Sequence, residues 1–457
     1  MKRIVLVALV ALALPAMTMA QWTFEGNFPA DSTVAVDGGG LGGHGIAVDA
    51  DGKVWWHAFA ATDSVQVPEL DDTFQSIREI YVWNADGTPA DFSPIQFLDF
   101  PDGSRDTLGG TVITDENGNK AWDGRSGRGL RADAEGNILA SQFNTLYKID
   151  YQTGAGLAKY TYQSSLRQAA TDDAGNVYIG PVLPGLPIEI LDSDLNFVET
   201  AVPASSTFAR SLEATGDGLV IFETDYENPY TIVYQRADEF SPFDSVGVAF
   251  ENLQVESITF NPATGNVWVS SGNPLNSNLV DLDRFTLNTW YEFDTEAVIA
   301  YANGEADEPE FLNLFTWESD GFEGRPRGLA FSPDGMTAYV TQFSQPFPHI
   351  QQFMAAEFTG VERDEAAGIP TTISLEANYP NPFNPTTTIE FGVDVAGPAT
   401  LKVFDMLGRE VATLLDEAIS AGSYTATFEA SSLPSGTYFY TLSANGQSVT
   451  KSMVLMK

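Results

Sequence analysis

Apolar and polar residues alternate along most of this chain in short runs, separated by clusters of Asp, Asn, Gly and Pro. A period of two puts one face of an extended segment in a core and the other toward solvent, so the pattern predicts strands and hairpins. One phrase occurs six times, beginning at Gly45 (GIAVDADGKVWW), Gly129 (GLRADAEGNILA), Gln168 (QAATDDAGNVYI), Ser211 (SLEATGDGLVIF), Ser257 (SITFNPATGNVWV) and Gly328 (GLAFSPDGMTAYV). The first four copies align without a gap, and the last two need one inserted residue. Each copy is an alternating strand, a turn carrying Asp, Asn or Gly, and a second strand rich in Val, Trp, Tyr and Ile, which is a β-hairpin signature.

Five copies are followed by a second strand pair (REIYVWNADGTPADFSPIQFL, TLYKIDYQTGAGLAKYTY, PIEILDSDLNFVETAV, TIVYQRADEFSPFDSVGVAF and LVDLDRFTLNTWYEF), and the sixth only by HIQQFMAAEF. Five complete four-strand units and one short of a strand predict a circular array in which an N-terminal segment, Trp22 to Val36, supplies the missing outer strand. Such closure hides sheet edges that would otherwise be open to pairing. The copies start 84, 39, 43, 46 and 71 residues apart. Three of these spacings fit a propeller blade of about 40 to 50 residues, and the two long ones predict insertions near residues 101–127 and 292–325. The expected fold is therefore all-β, with a six-bladed β-propeller over residues 21–360; a β-sandwich array is the structural alternative. The phrase resembles the repeat of six-bladed propellers of the NHL-repeat and gluconolactonase-like superfamily, a resemblance that speaks to fold and not to activity. Acidic turns such as Asp49 to Gly52 and Asp192 to Asn196 lack the Gly and Glu placement of a calcium-binding EF-hand loop, and are expected to serve as turns.

From Thr359 to Thr372 the chain becomes polar and strand-poor (TGVERDEAAGIPTT), which predicts a linker at residues 361–374. Residues 375–457 alternate again in ATLKVFD, SYTATFE and GTYFYTL, giving about seven short strands and a small Ig-like β-sandwich. This segment resembles the type A C-terminal sorting domain recognised by the type IX secretion system of Bacteroidota and related bacteria. The resemblance runs from Tyr379 to Lys457. It rests on Tyr379-Pro380-Asn381-Pro382-Phe383-Asn384-Pro385, Leu407-Gly408-Arg409-Glu410-Val411, Gly422 with Tyr424, Leu433 to Tyr440 including Gly436 and Tyr438, and the terminal Met453 to Lys457. It implies a passage signal across the outer membrane, read by the secretion machinery, with release or surface attachment to follow. Physically, the three prolines favour an extended lead-in.

The other end of the chain fits that picture. Lys2 and Arg3 precede an apolar run from Ile4 to Leu14, then Pro15 and small residues to Ala20, which reads as a signal peptide over residues 1–20. The run is too short for a hydrocarbon core that needs about 20 residues, so no transmembrane segment is expected in the mature chain, which should be secreted or held at the cell surface. Of 457 residues, 62 are Asp or Glu, 22 are Lys or Arg, and none is Cys. Disulfides, thiolate metal sites and Cys nucleophiles are excluded. The formal charge of -40 argues against nucleic acid or an anionic membrane as partner. Most of that charge lies in residues 21–374, with 54 acids and 16 bases, of which four are Lys.

Against this acidity the residue just before each phrase stands out: His44, Arg128, Arg167, Arg210, Glu256 and Arg327. The repeat puts all six at one end of the central channel, opposite the Asp/Gly turns. Convergent guanidiniums hold carboxylate, sulfate or phosphate by their planar forks. The loop after the second strand adds His57, Gln142, Asn144, Glu223, Asp225, Asn273 and Gln342. His44 or His57 would serve as a general base or a metal ligand, and pairing of the Arg residues with Glu256 and Glu223 is the structural alternative. Gluconolactonase-like enzymes hold a divalent metal in this funnel. Glu256, Glu223 and Asn273 are stand-ins here, but the neighbouring Arg residues repel a cation, and no cofactor is expected. No nucleophile elbow, phosphate loop, zinc-protease helix or dinucleotide fingerprint occurs. Three functions remain: capture of an anionic extracellular ligand such as a uronic-acid or sulfated glycan fragment; a lyase or lactonase/hydrolase acting on a carboxylated sugar or lactone; and a structural or adhesive surface protein.

Overall fold

The computed structural model describes residues 22–30, 42–318, 324–343, 350–355, 361–363, 370, 372–395, 397–404, 406, 410–419, 421–430, 435–444 and 446–456. The expected signal peptide, Gly408, Arg409 and Lys457 lie outside them. The chain divides into two compact units at Ala355/Ala356.

In the first unit each phrase forms the two inner strands of a small antiparallel sheet, so that six blades follow one another. The innermost strands are Gly43–Val48, Gly127–Ala132, Ala170–Thr171, Leu212–Ala214, Ile258–Phe260 and Arg325–Phe331. The sixth blade is completed by Trp22–Asn27, which pairs antiparallel with Ile350–Ala355. The N-terminal strand thus closes the ring, as the missing strand of the last repeat requires. Trp22 seals this closure by packing on Trp268, Phe315 and Phe331, with ring centroids 5.5, 5.4 and 5.7 Å away. The first and sixth blades also meet where Trp56 Nε1 donates to Thr341 Oγ1 at 3.2 Å.

The turn of each phrase is capped by a side chain at its first position, Asp in the first three copies and Thr215, Asn261 and Ser332 in the others. Asp49 Oδ1 accepts from the backbone N–H of Asp51 and Lys53 at 3.0 and 2.9 Å, and Asp133 Oδ1 from Glu135 and Asn137 at 2.9 and 2.8 Å. The glycine that follows, Gly52 or Gly136, has φ of 80° or 87°, a left-handed conformation that a Cβ disfavours. Asp192 does the same in an outer turn, accepting from Asp194 and Asn196. These carboxylates cap their own turns.

Two units depart from the expected strand placement. In the first, an extra hairpin (Asp63–Val67 with Thr73–Ile77) enters between the second and third strands, and two more, Phe97–Asp99 with Arg105–Thr107 and Gly110–Thr114 with Lys120–Gly124, follow the third; this blade's sheet has three strands and not the expected four, because the segment at Phe97–Asp99 pairs within its own hairpin. The spacing of the repeat fixes how many residues are inserted but not where, so only the region near 101–127 was foreseen. In the fifth, the segment from Leu279 to Phe293 yields one blade strand, Thr289–Phe293. The fourth strand, Asn313–Thr316, comes after a helix, Thr295–Ala302, that is N-capped by Asp294 accepting from Ala297 N–H at 2.7 Å.

The second unit is a sandwich of two four-stranded sheets. Val361–Arg363, within the expected linker, pairs with Tyr424–Ala426 in one of them. The segment Tyr379–Pro385 docks along the terminal strand Gln447–Leu455. Phe383 N–H donates to Val454 O, Met456 N–H to Phe383 O, and Val454 N–H to Asn381 Oδ1. Phe383 and Tyr438 are buried in the sandwich core, while Tyr379 is 82% exposed. Two pieces of the sequence motif, far apart in the chain, are therefore one structural feature.

Candidate functional site

Three of the six positions before the phrases are set out by the backbone itself. The register between inner strands shifts at Gly43/Gly45, Gly127/Gly129 and Pro326/Gly328. His44, Arg128 and Arg327 are the extra residues in these bulges, a device that re-aims a side chain. Gly flanks His44 and Arg128 on both sides and follows Arg327, because the blades meet there: a Cβ on Gly45 would lie 2.7 Å from both Leu130 N and His57 Nε2.

The four arginines separate into two kinds. Arg167 pairs with Glu223 at 2.7 Å, and neither side chain has any exposure. Glu223 also accepts from Ser205 Oγ and Tyr234 OH at 2.5 and 2.8 Å. Burial works to raise its pKa, but Arg167 and these hydrogen bonds outweigh it and hold the carboxyl below its usual value. Arg167 is thus bound to the second strand of the next blade and stands apart from the others.

Arg128, Arg210 and Arg327 come from the second, fourth and sixth blades. Arg327 Nε donates to Glu256 Oε2 at 2.8 Å, and Asn273 Nδ2 to Glu256 Oε1 at 2.8 Å. Arg128 and Arg210 have no acidic partner among the described residues, and the buried Nε of each makes no hydrogen bond. Each guanidinium lies instead against an aromatic ring. Arg128 is 4.9 Å from Phe59 and 5.8 Å from Phe143; Arg210 is 4.5 Å from Phe208 and 4.8 Å from Tyr226; Arg327 is 3.8 Å from Phe343. Such stacking fixes the plane of the guanidinium and leaves its N–H edges free to donate. Burial and the repulsion of Arg327 push both Arg128 and Arg210 down to about 10.

His44 sits among them, 5% exposed, with both ring nitrogens unpartnered. Burial first, then the charges of Arg327, Arg128 and Arg210, hold its pKa well below the usual value, so it is neutral. His57 is fully buried between Gly45 and Gly127, and burial lowers it to about 3. The remaining loop candidates are taken up locally. Gln142 bonds Gly109 N and Arg78 O, Asn144 bonds Tyr162 O, Asp225 caps Glu227 and Asn228, and Gln342 accepts from Gly324 N.

The residues suggested for a divalent metal do not fit one. Glu256 is held by Arg327 and Glu223 by Arg167, and among the described residues no group of three or more His, Asp or Glu is placed to hold a metal ion.

A cavity of about 1060 Å³ opens at the other end of the channel, among the Asp/Gly turns. At its floor Arg131 crosses to Glu213 and Thr259 from the fourth and fifth blades. Burial raises Glu213 to about 7 against the pull of Arg131. Volume favours this end and chemistry the other. The turn carboxylates Asp49, Asp133 and Asp217 are committed to their own backbone, and Arg131 has its acid, so the unpartnered Arg128, Arg210 and His44 mark the better candidate. Arg131 and Glu213 were legible in the phrase alignment, at a third position that holds Ala in three other copies. Phe59, Phe143 and Phe343 likewise share one repeat position at the end of the second strand.

Residues 377–456 match the family model described as a secretion system C-terminal sorting domain. The second unit is a type IX sorting domain, which marks the chain for export and for attachment at the outer membrane or cell surface and implies contact with the secretion machinery. No curated protein matches the chain. Similar solved structures include the Kuenenia stuttgartiensis hydrazine synthase, 11% identical with a TM-score of 0.39, covering 68% of this chain and 95% of that one. A functionally unknown protein from Desulfotomaculum acetoxidans is 14% identical with a TM-score of 0.35, covering 77% and 96%. The dihydro-heme d1 dehydrogenase NirN in complex with DHE is 10% identical with a TM-score of 0.32, covering 85% and 59%. No helix among the described residues is long and apolar enough to cross a membrane.

Proposed function

We propose that this exported protein captures an anionic extracellular ligand at the Arg128, Arg210 and Arg327 end of the propeller channel. One observation carries the reading: of these three guanidiniums only Arg327 has a carboxylate, Glu256, among the described residues, in a chain whose net charge is -40. Acids are abundant, yet among the described residues Arg128 and Arg210 are left without one. Partly buried cations that repel one another are costly unless an anion joins them.

The hydrolase or lyase reading needs a base in contact with its substrate. His57 has no exposure, and neutral His44 is the remaining candidate, surrounded by guanidiniums that oppose its protonation. Capture is therefore preferred to turnover. Arg167 and Glu223, first grouped with the ligand-binding residues, are assigned a structural role.

The test is a thermal-shift screen of the full chain against uronates, sulfated sugars and phosphates, repeated with Arg128→Gln and Arg210→Gln. A ligand bound only by the folded state raises the melting temperature by mass action. The shift should vanish in either variant. Equal shifts in all three proteins, or none with any anion, would sink the reading and favour a structural or adhesive role.

A further inference from the structure

We propose that this end of the channel is built for a tetrahedral oxyanion carrying two negative charges, a phosphomonoester or free phosphate or sulfate, held by one guanidinium from each of three alternate blades. The inference rests on the anion-capture reading and narrows it to a ligand class.

Charge is the first argument. Among the described residues Arg128, Arg210 and Arg327 bring three positive charges, Arg325 adds a fourth beside the Tyr226 ring that Arg210 also faces, and Glu256 returns one negative, so a strong positive excess remains. His44 adds none, because burial and the three guanidiniums keep it neutral. A dianion offsets more of this excess than a single carboxylate or sulfate ester can in a partly dry setting.

Direction is the second. Blades two, four and six of a six-bladed ring are about one third of a turn apart, so the guanidiniums approach the axis from three sides. A carboxylate has two oxygens in one plane and is satisfied by one Arg fork. A tetrahedral oxyanion offers three oxygens around its own axis, one for each Arg, and turns its fourth outward. The stacking of the guanidiniums on Phe59, Phe208 and Phe343 fixes this arrangement before any ligand arrives. The unpartnered nitrogens of His44 supply one further donor at the same place.

The experiment is isothermal titration of the full chain with inorganic phosphate, sulfate, glucose 6-phosphate, glucose 6-sulfate and galacturonate. The proteins are the natural chain, Arg128→Gln and Arg210→Gln, with Arg210→Lys as a milder variant should a Gln protein fail to fold. A dianion should bind one per chain, at least tenfold tighter than galacturonate and glucose 6-sulfate. Each Gln variant should weaken it tenfold or more, and Lys by less, since it keeps the charge and loses the fork. Binding of glucose 6-phosphate alone would identify an ester as ligand, and binding of the free ions alone an inorganic anion. Tighter binding of galacturonate, or equal binding of the two glucose esters, overturns this inference while leaving anion capture intact. Dianion binding that no variant alters is an adventitious ion and overturns it as well. Silence from every anion overturns both.

Discussion

Glu223→Gln separates the structural arginine from the others. The carboxylate receives Arg167, Ser205 and Tyr234, and neither it nor Arg167 has any exposure. Arg167 already has Nε and Nη2 without partners, so neutralising Glu223 leaves a buried cation with no counter-charge. Breaking one partner of such a pair costs about 3–5 kcal/mol. An unfolding entropy of about 2.1 cal/mol/K per residue gives about 0.7 kcal/mol/K for a unit the size of residues 22–355, so the melting temperature should fall by about 4–7 °C. All eight Trp residues lie between Trp22 and Trp317, so intrinsic Trp fluorescence during a melt reports the propeller without the sorting domain. Replacing both partners by apolar residues, Arg167→Met with Glu223→Leu, should recover most of the loss, because the desolvation of both charges is removed. A melting temperature within about 1 °C of the natural chain for Glu223→Gln, together with lost anion binding, would refute this reasoning and return Arg167 to the ligand site.

Other outcomes follow from the same structure. Neutral His57 contributes stability that is fully present above its unfolded pKa near 6.5. That stability is lost as pH falls toward its folded value of about 3, at about 1.4 kcal/mol per pH unit over that window; urea titrations of His57→Leu between pH 7 and 4 should show a correspondingly flatter acid limb. Trp22→Ala should cost about 3 kcal/mol in the same fluorescence melts, since it empties the space between Trp268, Phe315 and Phe331. Removing residues 22–27 should go further and expose Ile350–Ala355 as an open edge, read as association by light scattering. A chain cut after Ala355 should lose its place at the cell surface in fractionation of the producing cells, and surface display without the sorting domain would contradict its role.

Much of this molecule is written locally, and that part was legible. Alternation over five residues and a turn with Asp and Gly make a hairpin wherever they occur, so six copies announce six blades, and a last copy lacking a strand announces the closing segment at Trp22. The sorting domain was read the same way, from short motifs in fixed order. Less legible were features that depend on residues meeting across the ring. Arg167 and Arg210 occupy equivalent positions in the phrase, yet one is sealed against Glu223 and the other left on Phe208 and Tyr226. Their neighbours come from other blades, and nothing within the phrase records them.

The sequence by itself determined the kind of strand, the number of blades, the acidic turns and the export of the chain, because each is set by periodicity or by a contiguous motif. Only the tertiary structure decided which cations find acids. Glu256 comes 71 residues before Arg327 and Glu213 lies 82 beyond Arg131. Bringing such pairs together is the work of ring closure, and among the described residues it leaves Arg128 and Arg210 unpaired, the feature on which the proposed site rests.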